Sequence, residues 1–144
     1  ACDGCGSQQA WLGVALPLPS WPRCVQIFQT ARTGFGARLL SVERFDGSAW
    51  VQVAQKAATP AAWEAIELPG PGQAYSTPYP VQIAPNGVSF AGRIAWRLLA
   101  KGPNRNGWQV SGLRLFADLN CHEEIFGLIT SSGYADGHEP ELAI

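Results

Sequence analysis

The 144-residue chain has no methionine, not even at its start, and only two histidines, His122 and His138. The first absence leads us to expect a segment processed or excised from a longer product. The second leaves general acid–base catalysis little to work with. No Gly-x-Ser-x-Gly elbow or comparable nucleophile setting occurs. His122-Glu123-Glu124 begins like a zinc-protease helix, but no second histidine stands at the i+4 position, so that zinc face cannot form. Gly34-Phe35-Gly36-Ala37-Arg38 is followed by no Lys-Ser or Lys-Thr pair and is not a phosphate loop. With these constellations missing, the expectation is a protein that is not an enzyme and uses no cofactor and no metal.

Apolar runs are short. None approaches the ~20 residues of a membrane helix, and nothing near Ala1 joins a basic start to an apolar core as a secretory leader does. Charged residues are only 15% of the chain against 47% hydrophobic, which excludes a disordered tail and fits one domain. The net charge of −1 argues against nucleic acid as the main partner. The charges are segregated, however. Between Leu68 and Ala117 there is no acidic residue, while Arg93, Arg97, Lys101, Arg105 and Arg114 are basic. From Asp118 onward the order reverses, with Asp118, Glu123, Glu124, Asp136, Glu139 and Glu141 and no Lys or Arg. Two readings are open: a dipolar surface that partly neutralises itself, or a basic patch that meets an acidic partner.

What the chain has in quantity is turn punctuation, 16 glycines and 11 prolines, set between short β-prone segments at the spacing of an all-β sandwich or barrel. Strands are expected at Trp11 to Leu16, Cys24 to Gln29, Leu39 to Phe45 and Ala49 to Ala54. Further ones are expected at Ala65 to Leu68, Tyr79 to Ala84, Val88 to Phe90, Ile94 to Leu99 and Gly107 to Leu119. Asp46-Gly47 is the strongest hairpin signal. Around Ala61-Ala62-Trp63 the sequence allows one helical turn or a loop behind Pro60, and helix is expected below about 15%. Tryptophans at strand starts (Trp11, Trp50, Trp96, Trp108) read first as fillers at the ends of the core, and second as a platform for sugars.

The order WLGVAL, CVQIFQTAR, DGSAWVQV, WRLL and VSGLRLFADLNC, from Trp11 to Cys121, resembles the discoidin family. These are the C-type domains of coagulation factors V and VIII, within the galactose-binding-like jelly rolls. The resemblance implies an antiparallel jelly-roll sandwich of a single domain, with residues 1–121 as main body and 122–144 as a C-terminal arm. The family's opening segments are missing ahead of Trp11. Ser131-Ser132-Gly133-Tyr134 and Glu141-Leu142-Ala143-Ile144 look like those openings placed after the closing strand, as in a register-shifted unit of a repeat array or a circular permutation. WLGVAL thereby loses its usual upstream neighbour. We expect the arm, through Phe126, Leu128 and Ile129, to cover that edge.

The resemblance places the binding face at one end of the barrel, in the loop Gln29 to Ala37 and in the segment near Tyr134. There Arg32 or Arg38 would fork onto an anion or a sugar hydroxyl, Thr33 would add a hydroxyl and Phe35 would stack or insert. The competing reading pairs Arg38 with Glu43 or Asp46 and uses Phe35 to cap the core. The R-x-D motif of fucose-binding members does not occur.

Four cysteines, Cys2, Cys5, Cys24 and Cys121, leave open a zinc site, reduced thiols or disulfides. The even number and the missing second C-x-x-C favour disulfides. That would mean an oxidising compartment: extracellular, secretory or an organelle lumen such as the thylakoid's. The resemblance joins Cys24 to Cys121, because the family's corresponding strands are antiparallel neighbours, and leaves Cys2 with Cys5. The functional expectation is a non-catalytic module binding a glycan or an anionic surface. The alternative is a structural or accessory subunit of a large assembly, photosynthetic for example, that uses the same loops for protein contacts.

Overall fold

The computed structural model describes residues 10–17, 20–46, 48–70, 93–101 and 107–131. Those residues form nine strands and no helix: β1 (Trp11–Pro17), β2 (Cys24–Gln29), β3 (Leu39–Phe45), β4 (Trp50–Ala57), β5 (Trp63–Glu67), β6 (Arg93–Lys101), β7 (Val110–Phe116), β8 (Glu124–Ile125) and β9 (Leu128–Ser131). They make an antiparallel β-sandwich. A five-stranded sheet runs β4-β3-β6-β1-β9, and a four-stranded sheet runs β5-β2-β7-β8.

Alternation within the strands sets the core. Leu12, Val14 and Leu16 of β1 point inward beside Ile94, Trp96 and Leu98 of β6 and Leu40 and Val42 of β3. From the facing sheet come Val25 and Ile27, Ile66, Leu113 and Leu115. A period of two is what a sheet with one face on a core requires. The end of the core near Trp96 is closed by Trp21, whose ring meets Trp96 edge-on with centroids 5.3 Å apart.

The strand beginning at Trp11 does receive a C-terminal neighbour. β9 pairs antiparallel with β1, Leu12 opposite Ser131 and Val14 opposite Ile129. β8 belongs to the other sheet, where Leu115 faces Ile125, so the chain changes sheets through Phe126 and Gly127. A Cβ at Gly127 would stand 2.6 Å from the Ala15 carbonyl oxygen and 2.7 Å from Val14 Cγ1. The crossing therefore hugs β1 more closely than any side chain would allow.

Behind Pro60 the loop reading holds as far as Ala62, and the helical one does not. No helical turn forms. Ala61 takes a left-handed φ of 69°, its N–H donates to the Gln29 carbonyl, and strand β5 starts at Trp63, earlier than expected. Pro60 ends the incoming segment and the Ala61 kink redirects it, a local geometry that alanine does not signal. The last long strand is also shorter than expected at both ends, Val110–Phe116: Asp118 folds the residues after it into a turn, and Gln109 before it bonds to Thr30 and Phe35. The Asp46 turn forms as expected: Oδ1 accepts from the N–H groups of Ser48 and Ala49, and Phe45 faces Trp50. The strands expected at 79–84 and 88–90 lie outside the described residues.

Candidate functional site

Gln29 ends β2 and is 1% exposed. Its side chain organises the loop that follows: Nε2 donates to the Ala37 carbonyl at 3.0 Å, and Oε1 accepts from the Ala37 N–H and the Trp108 indole, both at 2.7 Å. Buried amides are stable only when so satisfied. The two bonds to Ala37 close residues 30–36 into a loop between β2 and β3. Backbone bonds hold its flanks: Thr30 N–H to Gln109 O at 3.2 Å and Gln109 N–H to Phe35 O at 2.9 Å. Inside the loop, Phe35 N–H reaches Arg32 O at 3.2 Å and Gly34 adopts a φ of 85°, a turn that glycine takes without strain. Gly36 sits against Pro60, where a Cβ would come within 2.4 Å of Cγ. The backbone of the loop is thus fixed by the sandwich.

On this frame Arg32 and Thr33 are exposed and Phe35 is half-buried. The Arg32 guanidinium carbon lies 4.5 Å from the Phe35 ring centroid, a cation–π contact that orders the long side chain while its N–H edges stay in solvent. Arg38 comes just before β3, exposed on the same end of the sandwich. Among the described residues neither cation has an acidic partner. β9 ends at Ser131 opposite Leu12, at that same end. Tyr134, and the cysteines Cys2 and Cys5, lie outside the described residues.

The pairing of Arg38 with Glu43 or Asp46 does not form. Glu43 is taken by Arg97, 2.6 Å away across the β3–β6 register, with Lys101 at 3.8 Å. Asp46 caps its own turn. Those bonds, to Ala49 N–H above all, hold the Asp46 carboxyl below the usual carboxylate range. At the opposite end of the sandwich, Cys24 and Cys121 form a disulfide with Cα atoms 5.5 Å apart, joining the start of β2 to the turn after β7. His122 is exposed there. Among the described residues no three His, Cys, Asp or Glu side chains gather to hold a metal, and no helix is long and apolar enough to cross a membrane.

The sequence reading missed two groups. One is the Gln29–Trp108 pair, whose partners come together only in the folded sheet. The other is a surface aromatic, Trp63, 47% exposed, on the outer face of the four-stranded sheet beside Phe28 and Arg114. The most exposed tryptophan is therefore not one of those singled out at strand starts: Trp96 and Trp108 are buried, and Trp11 and Trp50 are half-buried.

No family model, curated protein or solved structure matches this chain.

Proposed function

We propose that the chain is a non-catalytic recognition module that binds a glycan or an anionic surface through the loop Gln29 to Ala37, in the manner of a discoidin-like jelly roll. One observation carries this reading. Arg32 is held over Phe35 at 4.5 Å on a loop whose backbone is anchored by the buried Gln29. An ordered guanidinium with free donors offers a bidentate fork to a carboxylate, sulfate or phosphate, and little side-chain entropy is left to lose on binding. Arg38 adds a second cation nearby in sequence. The Cys24–Cys121 bond fits residence in an oxidising compartment, extracellular or lumenal.

The test is a glycan array that includes sulfated and uronic-acid glycans, with phosphatidylserine vesicles as the anionic-surface arm. Wild type should bind members of one arm, and Arg32→Ala and Phe35→Ala should each weaken that binding about tenfold, or 1.4 kcal/mol. Absence of binding in both arms refutes the proposal.

A second reading, an accessory subunit of a larger assembly, is favoured by Phe126 and Leu128, 67% and 48% exposed where the chain crosses between sheets. Neighbouring apolar side chains of that size fit a protein contact. Co-elution with a host complex that Phe126→Ser abolishes would support it.

A further inference from the structure

The outer face of the four-stranded sheet is open at one end and covered at the other. Toward the bottom, Cys24 and Phe116 are buried, with the disulfide-linked turn after β7 folded back on them. Toward the loop end, the outward residues are Trp63 of β5, Phe28 and Gln26 of β2, and Gly112 and Arg114 of β7. The register puts Trp63 opposite Phe28, Phe28 opposite Gly112, and Gln26 opposite Arg114.

Trp63 does not stand away from the sheet. Its ring lies 5.6 Å from Phe28 and reaches past it to β7: a Cβ on Gly112 would be 2.6 Å from Cη2 and 3.1 Å from Cζ2. The indole is bedded on the sheet by a glycine in the middle of a strand, a position where glycine weakens the strand and marks the close approach of another group. Nearly half of Trp63 remains open to solvent, 47%. The Arg114 guanidinium lies 5.2 Å from the indole centroid, and its Nε is 3.9 Å from Glu124 Oε1.

We infer that this surface is a second binding site, separate from the loop, for the ring of a neutral pyranose. A sugar ring has an apolar C–H face that packs on an aromatic plane and a periphery of hydroxyls that both donate and accept. The sheet supplies those features side by side: an immobilised indole, a guanidinium donor, a carboxylate acceptor and the Gln26 amide. Arg114 and Glu124 lie close enough to offset each other's charge, so the rim favours an uncharged polyol over an anion. That distinguishes this surface from the loop, where Arg32 has no acidic partner among the described residues.

The experiment is titration of the purified chain with neutral and with sulfated oligosaccharides, followed by intrinsic tryptophan fluorescence, after a glycan array has picked the tightest neutral binder. Wild type should bind neutral glycans. Trp63→Ala and Arg114→Ala should weaken that binding at least about tenfold, while Leu119→Ser, on the exposed turn, should not. Gly112→Ala, which displaces the indole, should weaken it as well. Should Trp63→Ala fail to fold, the exposed Arg114→Ala carries the test. Absence of any neutral ligand overturns the inference, as does neutral binding that survives Trp63→Ala. Loss of neutral binding in Arg32→Ala but not in Trp63→Ala would assign the sugar to the loop and overturn this site alone. Self-association of wild type that Trp63→Ala abolishes would assign the face to a second copy and also overturn it.

Discussion

The indole N–H of Trp108 donates to Gln29 Oε1 at 2.7 Å although the two residues are 79 apart in sequence, and both are buried. One amide thus links the strand before the candidate loop, the end of that loop at Ala37, and the segment leading into β7.

Gln29→Leu keeps the volume and removes all three bonds. It orphans the Trp108 N–H and the Ala37 N–H and carbonyl, at roughly 1–3 kcal/mol for each buried group left unsatisfied. A fall in unfolding free energy of at least about 2 kcal/mol is expected in urea, together with loss of ligand binding. Unchanged stability would mean that Gln29 does not hold the loop.

The Cys24–Cys121 disulfide spans a sequence separation of 97. The chain-entropy model credits such a closure with about 4–5 kcal/mol. Reduction, or the double change Cys24→Ala and Cys121→Ala, should lower the urea midpoint accordingly, and peptide mapping without reduction should recover the linked pair. Free thiol at either position would remove the bond and with it the support for an oxidising compartment.

Gly127 can accept no side chain without pushing on the β1 backbone. Gly127→Val should destabilise by about 1–3 kcal/mol, the usual cost of overpacking, and loosen β9 from β1. Deleting residues 126–144 should go further, baring the β1 edge, lowering the melting temperature by several degrees and causing self-association in sedimentation velocity. Phe126→Ser, at an exposed position, should leave stability unchanged.

Asp118 accepts from the N–H groups of Glu123, His122 and Asn120. These bonds, that to Glu123 first, hold its carboxyl below the usual range. A lowered folded value means that the stabilisation is complete above the unfolded pKa of about 3.9 and fades as pH falls through the folded value. Wild type and Asp118→Asn should therefore differ in urea midpoint at pH 6 and converge in strong acid. A difference that persists at the lowest pH would show that the carboxylate charge is not what orders the turn carrying Cys121.

Much of the sandwich could be read from the sequence, because its strands alternate and its turns carry Asp, Gly and Pro. β1, β2, β3 and the Asp46 hairpin lie where the pattern puts them, and the neighbour expected for Trp11 to Leu16 is present as β9. β5 was read only in part, from Ala65: with Pro60 just upstream, Trp63 and Glu64 look like loop until Ala61 turns the chain. The site was only half legible. Arg32, Thr33 and Phe35 share the loop to which the resemblance pointed, and Arg38 follows it in sequence. Glu43 pairs instead with Arg97, and Trp63 lies over Gly112, because strand register decides both contacts, and register between distant segments leaves no local trace.

The most direct measurement is a 15N-correlation NMR titration of the chain with the tightest anionic ligand from the array. Binding at the loop predicts that the largest amide shifts fall on residues 30–37, with Gln109 moving alongside through its bonds to Thr30 and Phe35, and that Arg32→Ala abolishes them. Shifts that leave residues 30–37 untouched, or no shifts at millimolar ligand, would contradict it.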